Sequence, residues 1–240
     1  LWEYTTTYLS NELLWEDGLE YQVKFFAMDK SSNAHAGGNS LAFRFDVSKP
    51  SASITTPRSD VIMNTLGVLR GSMGDNDPVA SNADYGPSGI DKIQVMIQSQ
   101  QDGYYFNSGG NFGSSGVQWL DANYDAVAGT WSFTHGSLEG ALTSGKFWVA
   151  VRAQDKAGNV QSTGTFTFNG KLSSFTIHVD KTDPTVSIST PAMSVAYVTP
   201  LAYKPAAANT LGLKGNSADA LINGTSTGLL TDGVDIQLWY

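Results

Sequence analysis

The sequence predicts an all-β protein in which antiparallel β-sandwiches repeat in tandem as an extended array. Three observations carry that prediction. Apolar and polar residues alternate with period two over several stretches, which sets one face in a core and the other in water. No segment keeps a helical period for long. The same sequence blocks also recur in the same order along the chain.

The alternation is clearest in three places. Ile93, Val95 and Ile97 alternate with Gln94, Met96 and Gln98. Phe147, Val149, Val151 and Ala153 alternate with Trp148, Ala150, Arg152 and Gln154. Phe175, Ile177 and Val179 alternate with Thr176, His178 and Asp180. Short strands separated by turn residues argue an antiparallel sandwich rather than a parallel sheet with helices.

The repeat follows from ordered matches. YQVKFFAMDK (Tyr21 to Lys30) matches FWVAVRAQDK (Phe147 to Lys156). FDVSKPSASITTP (Phe45 to Pro57) matches VDKTDPTVSISTP (Val179 to Pro191). Asn64 to Gly67 recurs as Asn209 to Gly212, and Gly89 to Val95 recurs as Gly233 to Leu238. The offset drifts through loop insertions. Residues 1–48 therefore read as the C-terminal half of one unit, 49–182 as a complete unit, and 183–240 as the N-terminal half of a third.

Neither half can bury its apolar face alone, and each presents open strand edges. Two explanations fit: the chain is an excerpt of a longer polypeptide, or the tail of one copy completes the head of the next and builds a filament. The excerpt is the favoured expectation.

Composition narrows the function. The chain is 41% hydrophobic, enough for a packed core. Its net charge of −8 disfavours nucleic acid, which needs clustered Lys and Arg. With no cysteine, neither disulfides nor thiolate metal sites hold the fold. No signal peptide and no long apolar run occur, so any export signal is expected outside this segment and no membrane span within it.

Several residues of the middle unit carry a resemblance. They are Tyr104 to Asn107, Trp119 to Ala122, Trp131 to Phe133, Leu138, Arg152 to Asn159, and Val179 to Pro184. In these the chain resembles the bacterial immunoglobulin-like repeats, fibronectin-type-III-like in outline, of large extracellular surface adhesins. Such repeats often carry an A-x-D-x-A-G-N turn and a D-x-x-x-P linker. The first unit departs from both: Asp29 to Asn33 lacks the Gly, and Asp46 to Pro50 lacks the second Asp. The resemblance implies immunoglobulin-like sandwiches at a bacterial cell surface. Their partners would be neighbouring repeats, copies of the chain, or a surface glycan or protein receptor.

Catalytic motifs are wanting. GALTSGKF (Gly140 to Phe147) nearly spells a phosphate-binding loop, but Phe147 follows the Lys and opens a strand, so a turn is expected. His35, His135 and His178 lack the short spacing of a zinc site. No nucleophile motif occurs, and no catalytic residue is assigned. The chain is expected not to be an enzyme.

Two candidate sites remain. The aromatic segment from Tyr104 to Tyr124 offers a sugar-stacking platform, with Tyr105 and Trp119 as its ligand-binding residues. Its Asn107 to Gly116 stretch reads as a mobile loop tip. The acids are more informative. On a sandwich whose strands alternate up and down, the turns after the second and sixth strands share the pole where the chain comes in. Those turns hold Asp75, Asp77 and Asp155, and the incoming linker holds Asp46. An oxygen-rich cluster of this kind suits calcium. Asp180 and Asp183, facing Asp219 and Asp232, form the equivalent set at the next junction. The overall expectation is a non-catalytic structural segment of an extracellular adhesin, stalk or surface filament; the alternative is a carbohydrate-binding surface module using residues 104–124.

Overall fold

Period two in the sequence becomes strands in the structure, a computed structural model. It describes residues 3–7, 14–35, 37, 39–75, 86–162, 164–165, 167–190, 214–219, 221–222, 225–226, 234 and 236. The chain first forms an antiparallel hairpin of β1 (Glu20–Phe25) and β2 (Asn39–Arg44). The central body opens with β3 (Ser51–Thr56), β4 (Ile62–Met63), β5 (Leu69–Gly74) and β6 (Ile90–Ser99). Next come β7 (Tyr105–Phe106), β8 (Phe112–Ser114), β9 (Leu120–Asp125) and β10 (Thr130–Phe133). A single helical turn, α1 (Leu138–Ala141), precedes the long strand β11 (Gly145–Asp155). It is followed by β12 (Thr167–Phe168), β13 (Lys171–Leu172) and β14 (Ser174–Val179). The chain continues through the pair β15 (Thr185–Thr190) and β16 (Lys214–Ala218), then the short pair β17 (Leu221–Ile222) and β18 (Thr225–Ser226).

The central strands make an immunoglobulin-like, fibronectin-III-like β-sandwich. One sheet runs β3–β5–β10–β9, the other β9–β6–β11–β14–β4. Strand β9 belongs to both: Leu120 to Ala122 pair with β6, while Asn123 to Asp125 pair with β10. At the opposite edge the chain leaves β3 in the first sheet and adds β4 to the second, parallel to β14. Pro57 follows directly on β3 and has no N–H to continue the ladder. The sandwich is thus stitched at both edges.

The core follows the alternation. Phe147, Val149, Val151 and Ala153 of β11 are buried, as are Ile93, Val95 and Ile97 of β6 and Phe175, Ile177 and Val179 of β14. Trp131 and Leu69 face them from the other sheet. Each large apolar side chain contributes about 1.5–3 kcal/mol on burial. A slip of one residue would turn Trp148 and Arg152 inward and expel this set, so the burial fixes the register. Buried Gln161 joins the sheets like an extra strand: its Oε1 accepts from Ala52 N and Ala153 N, and its Nε2 donates to Ala52 O. Gly71 is required where it stands, because a Cβ there would overlap the Ser53 carbonyl and the Trp131 indole.

The terminal hairpins copy registers of the central body. Tyr21↔Phe43 and Val23↔Leu41 repeat Phe147↔Ile177 and Val149↔Phe175. Val186↔Ser217 and Ile188↔Gly215 repeat Ala52↔Met73 and Ile54↔Gly71, with a bulge at the same place. Burial separates the copies. Leu41 is 64% exposed where its counterpart Phe175 is 6%, and Ile188 is 57% where Ile54 is 2%. Among the described residues nothing covers these two faces as the second sheet covers the central one.

Two local expectations change. Asn107 to Gly116 is not a free tip: it holds the turn after β7 and the strand β8, and Phe112 packs its ring at 5.3 Å from Phe106 and 5.2 Å from Phe147. The buried ring of Phe106 belongs to the core, not to a sugar platform. In GALTSGKF, Gly140 lies in the short helical turn α1 rather than in a plain turn, and Gly145 opens β11.

Candidate metal centre

Three segments far apart in sequence converge at one pole of the sandwich. The linker after β2 brings Asp46, the end of β5 brings Asp75, and the last residue of β11 is Asp155. One carboxylate oxygen from each lies within 4.8 Å of the others, and Asp46 and Asp155 are buried. Strand polarity explains the meeting: β5 and β11 both end at the pole where β3 begins.

Backbone amides hold each carboxylate. Asp46 Oδ2 accepts from Ser88 N at 2.6 Å, and its Oδ1 accepts from Ser48 N at 3.0 Å. Asp75 Oδ2 accepts from Gly89 N at 2.7 Å. Asp155 Oδ1 accepts from Asn159 N, and its Oδ2 accepts from Asn159 Nδ2, both at 2.8 Å. The same Asn159 amide donates to Asp46 O at 3.0 Å, tying the linker to the turn. Gly158 makes that turn with φ +95°, a left-handed conformation that favours glycine. The equivalent turn of the first hairpin is built the same way around Asp29 and Asn33, but Ser32 takes the left-handed position with φ 67°. Hydrogen bonds from Asn33 lower the Asp29 carboxyl below its usual range.

The donor set is all oxygen, with no histidine or cysteine among the clustered groups. That chemistry selects a hard cation over zinc. Two oxygens each about 2.3–2.6 Å from one calcium ion stand no more than about 5 Å apart, so the observed spacing fits a shared ion.

The other expected site residues are placed differently. Asp77 and Asp232 lie outside the described residues. Half-buried Asp180 follows β14; its N donates to Met63 O, and its Oδ1 caps Thr182 N. Asp183 is exposed in the outgoing linker. Among the described residues these two and Asp219 do not form a group of the kind seen at Asp46. Tyr105 is half-buried and pairs with Gln98 and Ser114. Trp119 is half-buried with the Arg152 guanidinium over its ring, 4.3 Å from the centroid.

Sequence reading passed over Asp17. Its carboxylate accepts from Val47 N at 2.8 Å and from Ser48 Oγ at 2.6 Å, capping the linker from the side of the first hairpin. The Asp-Gly dipeptide at 17–18 was its only signal. Gly18 O also accepts from Gly86 N at 3.0 Å. At the other pole, Lys181 in the outgoing linker pairs with Glu139 Oε1 at 2.9 Å. Burial raises the Glu139 carboxyl, but Lys181 and the Leu66 and Gly67 amides outweigh it and hold the group below its usual range.

No family model matches the chain, and no curated protein matches it. Among solved structures it is similar to fibronectin(III)-like modules of Clostridium thermocellum CbhA, at 16% identity and a TM-score of 0.31. That match covers 67% of this chain and 62% of the other, so the chain spans less than two thirds of that structure's length. The fold assignment rests on the strand order above, not on this likeness. No helix among the described residues is long and apolar enough to cross a membrane.

Proposed function

We propose that the chain is a non-catalytic structural segment of an extracellular adhesin, stalk or surface filament, in which sandwich units follow one another through short, anchored linkers. The units run 1–48, 49–182 and 183–240. The observation that carries the reading is the position of Asp46: a linker residue buried inside the next unit's acidic pole. A linker held in this way transmits orientation, which a spacer needs and an isolated binding domain does not. Asp17, Asn159 and Gly86 add contacts on the same junction, and Lys181 anchors the outgoing linker.

Calcium is the ligand proposed for the pole. It would bridge Asp46 on the linker to Asp75 and Asp155 on the sandwich, with Asp77 as a fourth acid. Asp180 and Asp219 stand at the repeat positions of Asp46 and Asp75, and with Asp183 they are proposed to hold the next junction. The exposed apolar faces of the terminal hairpins are proposed to be covered by the rest of their own units in a longer polypeptide.

Small-angle scattering of the intact chain, with calorimetric titration of calcium, tests the reading. The expected result is an elongated particle, heat of binding at or below millimolar calcium, and increased flexibility after chelation. A globular particle indifferent to calcium would retire it.

A further inference from the structure

The outer face of the second sheet has a chemistry that the spacer role does not use. Because alternate residues of β11 fill the core, Trp148, Ala150 and Arg152 take the outward positions, with Trp148 and Arg152 half-buried and the small Ala150 between them buried. Register sets Gln98, Met96 and Gln94 of β6 opposite them. The ionisable groups at outward positions of β6, β11 and β14 are Lys92, Lys146, Arg152 and His178, and no carboxylate stands among them. This is so in a chain with 22 acidic and 14 basic residues. Among the described residues acids stand at the margin: Asp91 at the bulge where β6 begins, Asp121 on β9, and Asp180 just after β14.

Arg152 is the ordered centre. Its Nε and Nη2 donate to Gln94 Oε1 at 2.9 and 2.7 Å. Gln94 is itself oriented by donating to Asp121 Oδ1 at 2.8 Å. Trp119 stacks against the guanidinium, whose Cζ stands 4.3 Å from the ring centroid. These bonds occupy the Nε/Nη2 side and leave the Nη1/Nη2 edge, whose two N–H groups match both oxygens of a carboxylate. Among the described residues no carboxylate forms an ion pair with Arg152. Burial lowers its pKa from the usual arginine range, so a counter-anion stabilises the charged form.

We infer that this face binds an acidic glycan, with a sugar carboxylate seated end-on against Arg152 and a sugar ring stacked on Trp148. The charge of the face selects an anion. Strands β6 and β11 are paired on both sides, so an extended peptide has no free edge to join here, and recognition falls to side chains. Arg152 and Trp148 are four residues apart on one strand, about 14 Å at ~3.4 Å per residue, so the ligand is an oligosaccharide rather than a single sugar.

The experiment is calorimetric titration of the intact chain in calcium-free buffer with three probes: an oligogalacturonate, the neutral galactose oligomer of equal length, and an oligoglutamate peptide. The acidic sugar is expected to bind at least tenfold more tightly than the other two. Arg152→Gln is expected to reduce that affinity at least tenfold while the melting temperature holds, and Arg152→Lys to restore it only in part. Should Arg152→Gln fail to fold, the NMR signal of Arg152 Nε–H in the unaltered chain must shift with oligogalacturonate and not with the galactose oligomer. Equal affinity for the neutral sugar or the peptide overturns the inference. So does full affinity in a folded Arg152→Gln, or no binding at millimolar sugar.

Discussion

Replacing Asp75 by Asn separates a cation site from a purely structural acid cluster, because the two predict opposite signs. The three carboxylates at the pole lie within 4.8 Å of one another, where two unit charges repel by roughly 3 kcal/mol at an effective dielectric of about 20. Asp75→Asn removes two of the three pairs, while its amide oxygen can still accept from Gly89 N–H. Asp75 is half-buried, so water screens part of this, and a net gain of about 1–3 kcal/mol is expected without metal. At roughly 4 °C per kcal/mol for a sandwich of this size, the variant should melt about 4–12 °C above the unaltered chain in chelator. Calcium at a hundredfold excess over its dissociation constant stabilises the unaltered chain by about 2.7 kcal/mol, and a variant lacking one ligand loses most of that. The melting order should therefore reverse, or close, on adding calcium. Scanning calorimetry of both proteins in chelator and in 10-millimolar-range calcium reads the result. A variant that melts above the unaltered chain by the same margin in both buffers refutes the reasoning, as does an unaltered chain whose melting ignores calcium.

Other perturbations test the fold itself. Gly71→Ala drives a methyl group into the Ser53 carbonyl and the Trp131 indole, disturbing the Trp131 Nε1 to Ser53 O bond; a loss of about 2–4 kcal/mol is expected in urea denaturation. Ser32→Gly relieves a left-handed backbone at the first hairpin's turn and should gain about 0.5–1 kcal/mol, read as slower hydrogen exchange of the Asp29 amide. The Glu139 carboxyl is held below its ordinary range, so its contribution is complete above the unfolded value and lost as pH falls through the folded one. Glu139→Gln should therefore flatten part of the stability loss as pH falls below the ordinary glutamate value of about 4.3, measured by denaturant titration at each pH.

Much of the fold was legible because burial writes itself as alternation. In β6, β11 and β14 every residue named as inward from the sequence is buried, since a strand offers only two faces and one must exclude water; Ala150, named as outward, is buried as well. The clustering of the three acids was legible for a related reason. Once strands alternate in direction, the ends that share a pole follow from counting, and Asp46, Asp75 and Asp155 meet there. The aromatic segment was less legible. Strands as short as β7 and β8 are too brief for alternation to assign a face, and Phe106 and Phe112 proved to pack inward.

By itself the sequence determined the all-β class, the inward face of each long strand and the recurrence of its blocks, all of which depend on residues near one another in the chain. Tertiary structure alone decided that Arg152 lies over Trp119 and is clasped by Gln94, and that Asp17 caps the following linker. Those contacts join strands and loops separated by tens of residues. Register and sheet curvature bring such groups together, and neither leaves a periodic trace in the residues themselves.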